Sequence, residues 1–222
     1  IVRPGVAGTS ESLSLEWPYM GHAFQMSLYG VLGAVLLSHS AVSKLLADQP
    51  LAVSTFDMSV LPLVLTIGVA EWQLRTYRQC TRQVLGLTDD LARFGAVAWR
   101  FLMRSFTRYW AALIGTSIVL WAIVRMHEGT VSAESTLLTI AYAVFGGALF
   151  LNLVLIAHAR VDLALRAFIV AGTVYGIGMV VQLAVQSPPT VFTAAYLALC
   201  LGLLLSLLIT TRHVVRQALA HL

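Results

Sequence analysis

Residues 70–85 read AEWQLRTYRQCTRQVL and place Arg75, Arg78 and Arg82 within two helical turns. Arg93, Arg100, Arg104 and Arg108 follow, so half of the fourteen basic residues fall between positions 75 and 108. The chain around this block is 59% hydrophobic, with only 11% Asp, Glu, Lys and Arg. Ordinary globular domains carry about 25% charged residues. Charge gathered into one block of an apolar chain of mean hydropathy +0.84 is the pattern of an integral membrane protein.

Six apolar runs frame the block: roughly 23–42, 51–70, 109–126, 135–157, 163–185 and 190–211. Each is long enough for a hydrocarbon core of about 30 Å at about 1.5 Å per residue. Turn chemistry separates them at Asp48-Gln49-Pro50, His127-Glu128-Gly129 and Ser187-Pro188-Pro189. Lipid cannot satisfy an open backbone and the alternation of a barrel is absent, so the runs predict helices. The expected fold is therefore all-α and polytopic, with six transmembrane helices and an amphipathic cytoplasmic helix pair between the second and third. Residues 1–20 form a linker or tail, 21–72 the first two spans, 73–108 the basic helices, 109–211 four more spans, and 212–222 a cytoplasmic tail. The opening IVRPGVAGTSESLSLEW has no signal-peptide apolar region. The chain reads as the C-terminal piece of something longer, or as a trimmed form.

Orientation follows from the basic residues. With the N-terminus inside, segments 71–108, 158–166 and 212–222 hold eleven basic residues and Arg3 makes twelve, while Lys44 and Arg125 alone lie outside. The positive-inside rule favours this topology, in a cell inner membrane with both termini cytoplasmic. Trp72, Tyr109 and Trp110 then fall at the inner interface. The pI near 9.4 belongs beside the spans, facing anionic lipid, and no nucleic-acid module is visible. Cys80 and Cys200 have no CxxC or metal-ligand spacing, so neither metal nor cofactor is expected.

Within the basic block, residues 71–85 continue the second span outward with arginines on one face. Gly86 breaks the helix, and Thr88-Asp89-Asp90 starts another. That second helix carries Leu91, Phe94, Val97 and Phe101 on an apolar side and Arg93, Arg100 and Arg104 on a basic one. It is expected to lie at the inner leaflet boundary before turning into the third span.

Ionisable side chains within spans are rare, so each is a candidate. Asp57, in AVSTFDMSVLP, lies about two turns into the second run. Pro62 follows five residues later and would free a backbone carbonyl. His39 ends the first run on the same side. Together they predict a cation or proton site with an outward mouth, against an interfacial Asp57 paired with Lys44 or His39. Asn152 and Gln182 join Asp57 and His39 as transport or ion candidates, although for them, as for Gln186, a hydrogen bond between helices is the expected role over a ligand. Gly146-Gly147, Gly172, Gly176 and Gly178 read as packing residues, since no strand precedes them. HARVDLALR presents His158, Arg160, Asp162 and Arg166, which a lipid phosphatase would need more basic and Ser-Gly-His elements to use. It reads as a tight charged turn, and with no serine-nucleophile motif or P-loop the chain is not expected to be an enzyme.

Two spans, a long basic helix pair, then four spans with tight turns resembles one lobe of the multidrug/oligosaccharidyl-lipid/polysaccharide flippase superfamily. LPLVLTIGVAEWQLRTYRQC (61–80), with Glu71 at the membrane exit, is similar to the span-to-helix element of Pel-type polysaccharide exporters. LFLNLVLIAHARVDLALRAFIVAG (149–172) is similar to their Asn-containing span, charged turn and following span. The resemblance covers about residues 20–215, matches the second lobe of a twelve-span protein, and makes residues 1–20 the linker from the first. It implies transport of a lipid-linked saccharide or polysaccharide by alternating access, with a second lobe or polysaccharide-synthesis subunits as partners. The alternative is a non-catalytic scaffold or permease subunit that recruits a cytoplasmic partner through residues 71–108.

Overall fold

The computed structural model describes residues 17–39, 41–42, 59–85, 91–128 and 132–217. Asp57 and Lys44 lie outside them. The described residues form seven helices and no strand: α1 (Trp17–Leu37), α2 (Leu61–Leu65), α3 (Ile67–Leu85), α4 (Leu91–Glu128), α5 (Ala133–Ala157), α6 (Val161–Val185) and α7 (Pro189–Gln217). Four of them, α4 to α7, are long and apolar enough to cross a membrane; α1 carries a shorter apolar stretch, Gln25–Leu37. These correspond to the last four apolar runs and the first. Of the second run, only its latter part is described, as α2 and the start of α3.

Pro62 sits in the first turn of α2, where its missing N–H needs no partner. Its carbonyl accepts both the Thr66 N–H at 3.1 Å and the Thr66 hydroxyl at 2.8 Å. Thr66 thus closes one short helix and leads directly into the next. The arginine face of α3 then emerges as the spacing predicts: Arg75, Arg78 and Arg82 are all exposed, and Arg75 pairs with Glu71 at 2.7 Å.

The basic second helix differs from its expectation. α4 runs unbroken for 38 residues, through Arg100, Arg104 and Arg108 into the third apolar run. No proline lies between 91 and 128, and neither Gly95 nor Gly115 interrupts the helix, so nothing ends it at position 108. At about 1.5 Å per residue it is about 57 Å long, well beyond a hydrocarbon core. Its buried stripe is also displaced. Ala98, Leu102, Phe106, Tyr109 and Leu113 are buried, whereas Phe94, Val97 and Phe101 flank them half-exposed.

The inner belt of aromatics is likewise only partly realised. Trp72 is 61% exposed, as an interfacial ring should be, but Tyr109 is 3% exposed. Tyr109 stacks on Phe150 of α5, with ring centroids 5.1 Å apart. The Trp110 indole N–H donates to the Ala143 carbonyl of α5 at 3.0 Å. Both side chains serve helix packing.

All of this converges on α5, the most enclosed helix. Leu138, Ala141, Phe145, Ala148, Leu151 and Leu155 are buried on one turn after another, and α4, α6 and α7 surround them. A Cβ on Gly146 would meet the Leu113 tip and come within 2.7 Å of Leu63 Cδ1. On Gly147 it would sit 3.4 Å from Leu204 and Trp110. Gly172 plays the same part for α1, 2.9 Å from Leu32, whereas Gly176 faces open space and is no packing notch. Outside, Ile118, Val119 and Ile123 of α4, Val170, Ile177 and Val181 of α6, and Leu205 and Ile209 of α7 stand exposed. An apolar belt this extensive is covered by lipid, and the chain is a membrane-embedded helical bundle.

Gly146→Ala is expected to lower stability by about 1–3 kcal/mol through overpacking, while Gly176→Ala leaves it unchanged or slightly raised. Thermal unfolding in detergent measures both.

Candidate functional site

The late carbonyls of α1 face the bundle, the Ser38 N–H bonds Ala34 O and Val35 O, and the chain is helical again at His39. Three side chains bond these late carbonyls. The Ser38 hydroxyl donates to Val35 O, Tyr196 of α7 to Leu36 O, and Tyr142 of α5 to Leu37 O, each at 2.8 Å. This arrangement brings α5, α6 and α7 around the residue that follows, His39.

His39 is 0% exposed. Its Nδ1 lies 3.0 Å from the Tyr175 hydroxyl of α6 and its Nε2 3.4 Å from the Thr193 hydroxyl of α7. The ring stacks on Tyr196, with centroids 4.1 Å apart and planes 5° from parallel, and Phe192 closes a second side at 4.7 Å. Hydroxyls can donate or accept, so Tyr175 and Thr193 suit either neutral tautomer and also the imidazolium, which donates from both nitrogens. The Tyr196 face adds a cation–π partner for the charged ring. A titratable group is therefore held where its proton can change without a new heavy-atom position being required.

Sequence reasoning selected His39 and missed Tyr142, Tyr175, Thr193 and Tyr196. The available signal was three tyrosines well inside apolar runs. A buried phenol needs a polar partner, and tyrosine otherwise favours the interface.

The other candidates do not join this cluster. Gln182 folds back on the C-terminus of its own helix: its amide nitrogen donates to Ser187 O at 2.6 Å, and its oxygen accepts from the Ser187 hydroxyl. Gln186 is exposed and takes a left-handed backbone, φ 51°, to end α6. Neither bonds across helices as expected. Asn152 is 0% exposed in α5, and neither amide atom meets hydrogen-bond geometry among the described residues. The Tyr29 hydroxyl of α1 comes within electrostatic reach of it without completing a bond.

A second histidine lies at the opposite, arginine-rich end. His158 follows α5 in a tight turn, with Ala159 at φ 57° and Arg160 paired to Asp162 at 3.3 Å. Its Nε2 is hydrogen-bonded to the Tyr77 hydroxyl of α3 at 2.9 Å, which ties the charged turn to the basic helix. Burial, and secondarily the Arg78 charge, lowers the His158 pKa below 6.5. Burial likewise raises that of Tyr77. This is the tight charged turn that the sequence suggests.

Removing the hydroxyl bonded to Leu36 O, by Tyr196→Phe, is expected to cost about 0.5–1.5 kcal/mol, the net worth of one hydrogen bond; thermal unfolding in detergent reads it. At His158 the folded state binds its proton less readily than the unfolded chain. The site's stabilisation is therefore complete above pH 6.5 and is lost as pH falls from 6.5 through the lowered value. His158→Gln is expected to remove that part of the pH dependence, seen as a smaller loss of melting temperature on acidification than in the native chain. Compared with protein-family models, curated proteins and solved structures, the chain matches none.

Proposed function

We propose that the chain is a lobe of an inner-membrane transporter that moves a lipid-linked saccharide or polysaccharide by alternating access, with a cation or proton taken up near Asp57 and His39. The observation that carries this reading is the wholly buried, hydroxyl-caged His39 inside a membrane bundle. A helix end needs only a hydrogen-bond donor, and Tyr142, Tyr196 and Ser38 already supply three. An additional titratable ring at such depth is a functional site by default. The substrate class comes from the resemblance carried by residues 61–80 and 149–172.

Coupling follows from the cage. A neutral imidazole donates one hydrogen bond and accepts another; the imidazolium donates two. A proton change therefore alters what α1 asks of α6 through Tyr175 and of α7 through Thr193. That difference biases the position of α1 against its neighbours, which is the form a rocking motion requires. Asp57 belongs to the same end of the bundle by sequence, and a carboxylate near His39 supplies the negative charge that a cation or imidazolium needs. Asp57→Asn and His39→Gln are each expected to abolish or strongly reduce export while membrane levels stay normal. Secreted glycan measured against immunoblotted protein tests this, and undiminished export by both variants overturns it.

A specific observation favours a second reading, a non-catalytic scaffold. Arg75, Arg78 and Arg82 of α3, and Arg100, Arg104 and Arg108 of α4, are all exposed. Such a surface suits an acidic cytoplasmic partner, for example a synthase subunit or an ATPase with its own P-loop. Charge reversal at Arg75, Arg78 and Arg82 that releases such a subunit while export chemistry is unaffected by Asp57→Asn selects this reading over the first.

A further inference from the structure

The helices α6 and α7 run antiparallel and leave between them an open groove of ≈ 500 Å³. That volume lies within the range of about 300–1,000 Å³ typical of small-ligand sites. Small residues, Ala167, Ala198 and Gly202, form its apolar length, and Arg166, Ser206 and Thr210 line its arginine-rich end. Arg166 is exposed and makes no ion pair among the described residues; Asp162, one turn before it, is engaged by Arg160. The two hydroxyls also differ from most helical threonines of the bundle. Thr66, Thr107, Thr116, Thr139 and Thr173 all donate to a carbonyl one turn back on their own helices. Ser206 and Thr210 make no such bond, nor any other among the described residues. A hydroxyl facing lipid with no acceptor is unfavourable, so these two are free to donate to an oxygen from outside the protein.

We propose that this groove is a binding site for one anionic glycerophospholipid. An acyl chain lies along Ala167, Ala198 and Gly202, the phosphate pairs with Arg166, and Ser206 and Thr210 donate to phosphate or ester oxygens. Charge complementarity selects the anionic class. The lining holds one guanidinium and no acid, and Arg212 and Arg216 stand exposed on the last turns of α7. A guanidinium offers a phosphate two parallel donors, which a trimethylammonium headgroup's own positive charge opposes. The site is independent of the transport reading and holds equally for a scaffold.

Native mass spectrometry of the delipidated chain, titrated with phosphatidylglycerol and with phosphatidylcholine of identical acyl chains, tests the proposal. The native chain is expected to retain one phosphatidylglycerol in preference to phosphatidylcholine. Arg166→Gln should weaken phosphatidylglycerol binding about fivefold, the effect of one basic contact at a membrane surface, and leave phosphatidylcholine unchanged. Gly202→Leu should displace both lipids from the groove. A Cβ at Gly202 meets nothing within 4 Å, so the added side chain enters the groove without disturbing packing, and an unchanged melting temperature verifies this. The double variant Ser206→Ala, Thr210→Val should weaken binding in the same direction. Equal retention of the two lipids by the native chain overturns the charge selection. Native-like phosphatidylglycerol binding by both Arg166→Gln and Gly202→Leu overturns the site.

Discussion

Close approach to α5 is the constraint on which the rest of the bundle depends. In lipid, helices gain nothing from hiding apolar surface, because the surrounding tails are equally apolar. Association rests on contact at short range. Gly146 and Gly147 remove two side chains from the middle of α5, and Leu113, Leu63 and Leu204 fill the vacated space. Tyr109 and Phe106 of α4 can then reach Phe150, and Trp110 can reach the Ala143 carbonyl. On the other flank, Phe145 meets Phe168 of α6, which in turn meets Tyr29 of α1. The aromatic contacts propagate outward from the helix that approaches most closely.

A second requirement, satisfaction of the backbone, shapes the ends. The late carbonyls of α1 are met by the hydroxyls of Ser38, Tyr142 and Tyr196. The same phenol that caps Leu36 lays its ring against His39. Carbonyl bonding and enclosure of a titratable group are thus one piece of architecture. At the other end the solution is electrostatic: Tyr77 holds His158, Arg160 holds Asp162, and Arg75, Arg78, Arg82, Arg100, Arg104 and Arg108 face outward. The molecule carries a hydroxyl-rich cluster at one end and a cationic rim at the other. The groove between α6 and α7 opens on that rim.

Several features were legible in residue order. The last four apolar runs became α4 to α7, the arginine spacing of 75, 78 and 82 gave an exposed face, and HARVD became a tight charged turn. Others were not. The basic helix was expected to bend near position 108, yet a helix stops only where a breaker or a cap ends it, and none is present there. Tyr109 and Trp110 carry the composition of an interfacial belt, but their neighbours on α5 claim them. The Gln182 amide, which by its depth in a span suggests an interhelical bond, instead meets Ser187 five residues on, since a left-handed Gln186 folds the chain back within reach.

By itself, then, the order of residues determined solvent and secondary structure: long apolar runs need lipid, and lipid admits the helix because each backbone bond closes within a few residues. Those are local quantities, set by hydropathy and hydrogen-bond range. Which stripe of each helix is buried, and which distant hydroxyls surround His39, were decided only by tertiary packing. Tyr175 and Thr193 lie 136 and 154 positions from that histidine. Their convergence depends on where a glycine notch lets neighbouring helices settle, and no spacing rule along one helix encodes that.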